Sequence, residues 1–142
     1  MYTYKLKVTE SEDILTKYFF YFAGLFIFLM AGMDKNYNTY NHTQVIDLSS
    51  ANTCNSFLPY PISLYGAASG FIGNDLVICG GANRTNAMDG CYMHDMYTEE
   101  GEWTHLYKMT SKRKNHAMAT FPNGSLWITG TLIKAHKTIK SN

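Results

Sequence analysis

Asp75-Leu-Val-Ile-Cys-Gly-Gly81 returns fifty residues later as Ser125-Leu-Trp-Ile-Thr-Gly-Thr131, an apolar strand closed by glycine in both places. Leu76 lines up with Leu126, Ile78 with Ile128 and Gly80 with Gly130. Upstream, Ala67 lines up with Ala117 and Phe71 with Phe121 at the same offset. A fixed period of this size marks stacked or radial repeats, in which each unit buries its apolar face on the next. Glycine at a strand end marks a place where another backbone comes too close for a side chain.

Between the two copies come Cys91-Tyr92, Asp95 and Trp103. A glycine pair followed by Tyr and then Trp resembles the kelch repeat, and residues from about Thr43 to Thr131 are similar to a kelch repeat protein. That resemblance implies an all-β fold, a partial kelch-type β-propeller of four-stranded antiparallel blades. Gly80, Gly81, Tyr92, Trp103 and Gly130 would be its structural marks. Tyr92 and Trp103 bring large apolar area with one polar tip, which suits a gap between blades. Thr131 stands where the second glycine of the pair is expected.

Apolar and aromatic runs bounded by Gly, Asn, Pro and Ser read as strands. A partial first blade over 34–62 contributes Gln44–Leu48 and Asn55–Leu58. A complete blade over 63–109 holds Ser63–Gly70, Asp75–Gly80, Cys91–Tyr97 and Trp103–Lys108. The start of a third, over 110–131, holds Asn115–Phe121 and Leu126–Gly130, and 132–142 is a tail without the pattern. Gly73-Asn74 and Pro122-Asn-Gly124 read as hairpin turns, where positive φ is cheap. A closed propeller has roughly four to eight blades. The chain therefore reads as a fragment of a longer one.

The first 33 residues read differently. Tyr18–Met30 is YFFYFAGLFIFLM, preceded by Lys17 and followed by the small residues Ala31 and Gly32. An apolar core of roughly 7–15 residues with such flanks predicts a signal peptide, and extension to Met33 predicts an uncleaved anchor. Either is an N-terminal hydrophobic helix; a buried internal strand is the third reading. Export agrees with three N-glycosylation acceptors, Asn41-His-Thr43, Asn83-Arg-Thr85 and Asn123-Gly-Ser125. A turn centred on Arg84–Asn86 sets Cys79 opposite Cys91, so the two can form a disulfide in an oxidising compartment. Cys54 is then left over or pairs with either, and three buried thiols in a cytoplasmic protein is the alternative.

With a formal charge of +1, 46% hydrophobic and 16% charged residues, the composition excludes general disorder and gives no field that favours nucleic acid. Lys112-Arg113-Lys114 reads as a solvated loop. His94 and His105 could face each other across the 98–102 turn, but two histidines alone are not a metal site. No nucleophile elbow or phosphate loop is present. The expectation is therefore a non-enzymatic module with no catalytic, cofactor or metal residues and no cofactor. It would bind a protein or glycan through Tyr60–Ser63, Asn83–Asp89 and Thr110–Asn115. Its place would be secreted or membrane-anchored, touching membrane only through an anchor. The alternative is a remnant of a secreted propeller oxidase of the galactose oxidase type.

Overall fold

The structure, a computed structural model, describes residues 19–23, 26–48, 54–96 and 101–132. All regular elements among them are strands: β1 Phe19–Ala23, β2 Phe26–Met33, β3 Thr39–Asp47, β4 Cys54–Phe57, β5 Tyr65–Ile72, β6 Asp75–Ala82, β7 Met88–Asp95, β8 Thr104–Thr120 and β9 Leu126–Leu132. They form two antiparallel sheets, β1-β2-β3-β4 and β5-β6-β7-β8-β9, in chain order. The arrangement is propeller-like, each sheet presenting a face to the next.

The expected N-terminal helix is replaced by a hairpin. Phe19–Ala23 pairs with Phe26–Met30 in an antiparallel ladder, and β2 pairs on its other side with β3. The first sheet thus begins at Phe19 rather than at residue 34. The physical reason is burial on both faces of β2. Phe28 and Met30 join the core between the sheets, while Ile27 and Leu29 are also buried on the opposite face. Such a strand reads as a continuous apolar run and loses the alternation that identifies one. Residues 1–18 and 133–142, which hold the start of the expected leader and most of the tail, lie outside the described residues.

β6 is built the same way. Leu76 and Ile78 pack with Phe28, Met30, Tyr60 and Leu64 toward the first sheet. Val77 and Cys79 pack on the other side with Met118, Leu126 and Ile128 of the β8–β9 hairpin. Cys79 stands opposite Cys91 and is joined to it by a disulfide, with a Cα–Cα distance of 4.1 Å. The tie lies within one sheet, and Cys54 sits in β4.

Two details differ from the expected blades. The strands foreseen at Trp103–Lys108 and Asn115–Phe121 are one strand, β8, of 17 residues. Its first part pairs with β7 and its last with β9, and Arg113 pairs with both Met88 and Leu132. The basic run is therefore strand, not loop: Arg113 Nη1 donates to the Gly130 carbonyl at 3.0 Å and Lys114 Nζ to the Tyr65 hydroxyl at 2.9 Å. The second difference is register. Phe71 pairs with Leu76, whereas Leu126 pairs with Thr120, because the later hairpin has one more residue in its turn. The fifty-residue offset holds between β6 and β9 but slips by one between β5 and β8. A one-residue slip moves side chains to the other face, so Ala117 and Phe121 are exposed where Ala67 is buried.

Gly80 has φ +67°, and an added Cβ would lie 2.7 Å from both the Arg113 carbonyl oxygen and His116 Cε1. A left-handed non-glycine residue costs about 1–3 kcal/mol before any clash. Gly80→Ala should therefore destabilise the chain by at least ~2 kcal/mol in urea unfolding. A loss under half of that would show that β8 yields easily at this contact.

Candidate functional site

The segment joining the sheets, residues 58–64, is held to the first sheet by backbone. Tyr60 N donates to the Asn41 carbonyl at 2.9 Å, Leu64 N to Tyr40 O at 3.1 Å and Gly32 N to Leu64 O at 2.8 Å. The Asn41 side chain adds a bond from Nδ2 to Tyr60 O at 3.0 Å. Beneath, the buried Asp34 carboxylate accepts from Asn36 N, Asn38 N, Asn38 Nδ2 and Tyr40 Oη at 2.8–2.9 Å. Burial raises its pKa, but the bonds from Asn38, Tyr40 and Asn36 outweigh that and hold the carboxyl below 3.8. The 34–38 turn is fixed in this way, and with it the start of β3.

Tyr60 is fully buried by this stitching. Its ring meets Tyr92 edge-on at 5.5 Å and Trp103 at 4.9 Å between centroids. Trp103 in turn touches the buried His94 at 5.2 Å, and its Nε1 donates to Leu58 O at 3.4 Å. Tyr92 continues the row to His105 at 5.2 Å. Tyr92 and Trp103 thus stand between the second sheet and the connecting segment. Edge-to-face pairs of this kind add about 0.5–1.5 kcal/mol each beyond their burial.

Beside this row lies a cleft of about 150 Å³, lined by Tyr60, Tyr92, Asp89, Gly90, His105 and Lys108 among others. One wall is aromatic, and the cleft also carries a cation, an anion and an imidazole. Tyr60 lines it too, and its hydroxyl has no hydrogen-bond partner among the described residues. Burial, and then the Tyr92 phenol, push the Tyr60 pKa up, so this hydroxyl stays protonated and can donate. The hydroxyl is closed to solvent as well, so it is a buried polar group that stays unpaired among the described residues.

Of the three loops singled out by sequence, Tyr60–Ser63 and Asn83–Asp89 both contribute residues to this cleft, through Tyr60, Ile62, Met88 and Asp89. Thr110–Asn115 lies inside β8. His94 and His105 do not face each other: Tyr92 is the partner of His105, and His94 points into the core against Phe57 and Trp103. Among the described residues no three His, Cys, Asp or Glu side chains converge. Likewise, no helix among them is long and apolar enough to cross a membrane. Gly80, Gly81 and Gly130 all have positive φ and sit against other backbone. The sequence marks Tyr60 only as the first residue of a binding loop; its burial at the centre of the aromatic row is not foreseen there.

No protein-family model matches the sequence, and no curated protein matches it. The fold is similar to that of a solved structure titled "Structure of YjhT", with a TM-score of 0.66 and 14% sequence identity. The match covers 84% of this chain and 36% of that one, so this chain spans about a third of that structure's length. The likeness is one of fold.

Two measurements probe this region. Trp103→Ala should cost about 3 kcal/mol, the lower end for a large aromatic, since the ring is half-buried; a surface position would lose less than half a kcal/mol in denaturant titration. His116, whose Cα lies 3.0 Å from a Cβ built on Gly130, is held below 6.5 by burial and then by Arg113. The unfolded chain therefore binds the proton more readily. Stability from this group is complete above pH 6.5 and is lost as pH falls through the folded value. The urea midpoint should drop between pH 7.5 and 5, and His116→Asn should flatten that slope.

Proposed function

We propose that this chain is part of a larger kelch-type β-propeller and serves as a non-catalytic module that binds a protein or glycan partner. The observation that carries the reading is the cleft where the connecting segment meets the start of β7 at the seam between the sheets. Tyr92 offers an apolar face to the C–H side of a sugar ring, and Asp89, His105 and Lys108 offer hydrogen bonds at its edge. Those features favour a glycan. The order Gly80-Gly81, Tyr92, Trp103, with Tyr92 and Trp103 at the seam, supports the kelch assignment.

Membership in a larger ring is supported by the far end of the second sheet. β9 has no further strand beside it among the described residues, and Trp127 on it is 66% exposed. Unpaired edges of that kind are normally closed by further blades. A secreted or membrane-anchored place is supported by the Cys79–Cys91 disulfide and the three glycosylation acceptors. Because β1 and β2 belong to the first sheet, cleavage after residue 33 would remove both strands.

The test is binding of the immobilised chain to a glycan panel, followed by titration of any glycan retained. Asp89→Ala removes one hydrogen-bonding side chain from the cleft wall. It should leave the unfolding midpoint nearly unchanged and weaken binding about 5–10-fold, the value of one hydrogen bond. Lys108→Glu should weaken it further for an anionic sugar. Retained glycans whose affinity ignores both substitutions would place the binding surface elsewhere.

A further inference from the structure

The three acceptor asparagines occupy unlike positions. Asn83 sits in the β6–β7 turn, where its Oδ1 accepts from Thr85 N at 3.0 Å, Thr85 Oγ1 at 3.1 Å and Asn86 N at 2.7 Å. Asn123 sits in the β8–β9 turn, and its Oδ1 accepts from Ser125 N at 3.1 Å and Ser125 Oγ at 2.7 Å. In both, the amide and the hydroxyl of the residue two positions on are gathered on the oxygen. Neither Nδ2 has a partner among the described residues. Asn123 is exposed with residues 121 and 122, and Asn83 is half-buried beside the exposed residues 84–86. A sugar on either nitrogen extends into solvent and displaces no contact.

Asn41 is the reverse. It lies within β3, and its Nδ2 and carbonyl form the two-bond clamp on Tyr60. Tyr60 is fully buried. A branched sugar on that nitrogen has to pass between β3 and the connecting segment, at the point that fixes the floor of the cleft.

We infer that Asn83 and Asn123 are the N-glycosylation sites of this protein and that Asn41 is a structural residue. The assignment rests on the export reading above. In the reaction, Nδ2 bonds to the anomeric carbon of an oligosaccharide carried on a lipid diphosphate. The bond from that carbon to the diphosphate oxygen breaks, the lipid diphosphate leaves and the amide gives up one proton, without redox change. The Asn83 glycan would stand on the β6–β7 turn, which leads into the start of β7 where Asp89 lines the cleft. The Asn123 glycan would stand in the β8–β9 turn next to Gly124, where an added Cβ would meet Ile72 Cγ2 at 3.9 Å.

The experiment expresses the full chain in a eukaryotic secretory host behind a heterologous signal peptide, with a control acceptor sequence on a C-terminal tag. Only molecules with Cys79 and Cys91 oxidised are scored, so misfolded chains do not enter. Enzymatic deglycosylation in heavy-oxygen water followed by peptide mass spectrometry should mark Asn83 and Asn123 and leave Asn41 unmarked. Asn83→Gln and Asn123→Gln should each remove one glycan and keep the unfolding midpoint, whereas Asn41→Gln should remove none and lower it. Sugar on Asn41, or its absence from Asn83 or Asn123 in a product whose control site is modified, overturns the assignment. The same chain with its native N-terminus tests export separately: a cytosolic product refutes export and leaves the site assignment as the first arm found it.

Discussion

Strand β6 has no solvent-facing side. Leu76 and Ile78 press toward the first sheet, while Val77 and Cys79 press toward the β8–β9 hairpin. Both contacts must form at once, since half of β6 would otherwise expose apolar area worth about 25 cal/mol per Å². The two-sided packing becomes tightest near the end of the strand. At Gly80 the Arg113 carbonyl and the His116 ring occupy the space of a side chain. Closing that gap brings the crossing of β8 close to β6, and β8 in turn carries β9. The order of the second sheet follows from how near one backbone can come to another.

The seam on the other face explains where recognition would sit. Residues 58–64 must leave β4 and enter β5, so they cross the boundary between sheets as irregular chain. Irregular chain at a boundary needs its backbone groups satisfied, and Tyr40, Asn41 and Gly32 do this. The same crossing leaves a cleft walled by the aromatics that fill the seam. Rigidity and an open cleft are here two results of one connection.

How much of this was legible depends on which residues one asks about. The glycine-ended strand at 75–81 and its copy at 125–131 announced an all-β repeat, and the Arg84–Asn86 turn sufficed to set Cys79 against Cys91. The apolar hairpin did not announce itself, because burial on both faces erases alternation. A signal was present: Ile27-Phe-Leu-Met-Ala-Gly-Met33 precedes Leu76-Val-Ile-Cys-Gly-Gly-Ala82 by forty-nine residues. Ala31 and Gly32, with φ +54° and +139°, stand where Gly80 and Gly81 stand. Their small size suits close packing as well as it suits a cleavage site, and sequence alone does not separate the two. The slip between β5 and β8 was hidden for another reason. Ala117 and Phe121 matched Ala67 and Phe71 by letter, while the extra turn residue moved them to the solvent face. The Tyr60 cleft was only half legible, since its loop was marked by two prolines but its seal depends on Asn41, in a distant strand.

The continuity of β8 has a mechanical meaning. Where separate strands joined by a loop would let neighbouring units tilt about a hinge, one backbone enters the hydrogen-bond ladders of both β7 and β9. A pull on β9 loads β7 in shear, in which many bonds share the force, instead of peeling them one at a time. Amide protons in β7 and in the last part of β8 would then exchange as one cooperative unit rather than two. The force passes through two irregular steps on the way, between Lys108 and Arg113 and between Arg113 and His116, where the ladder shifts register.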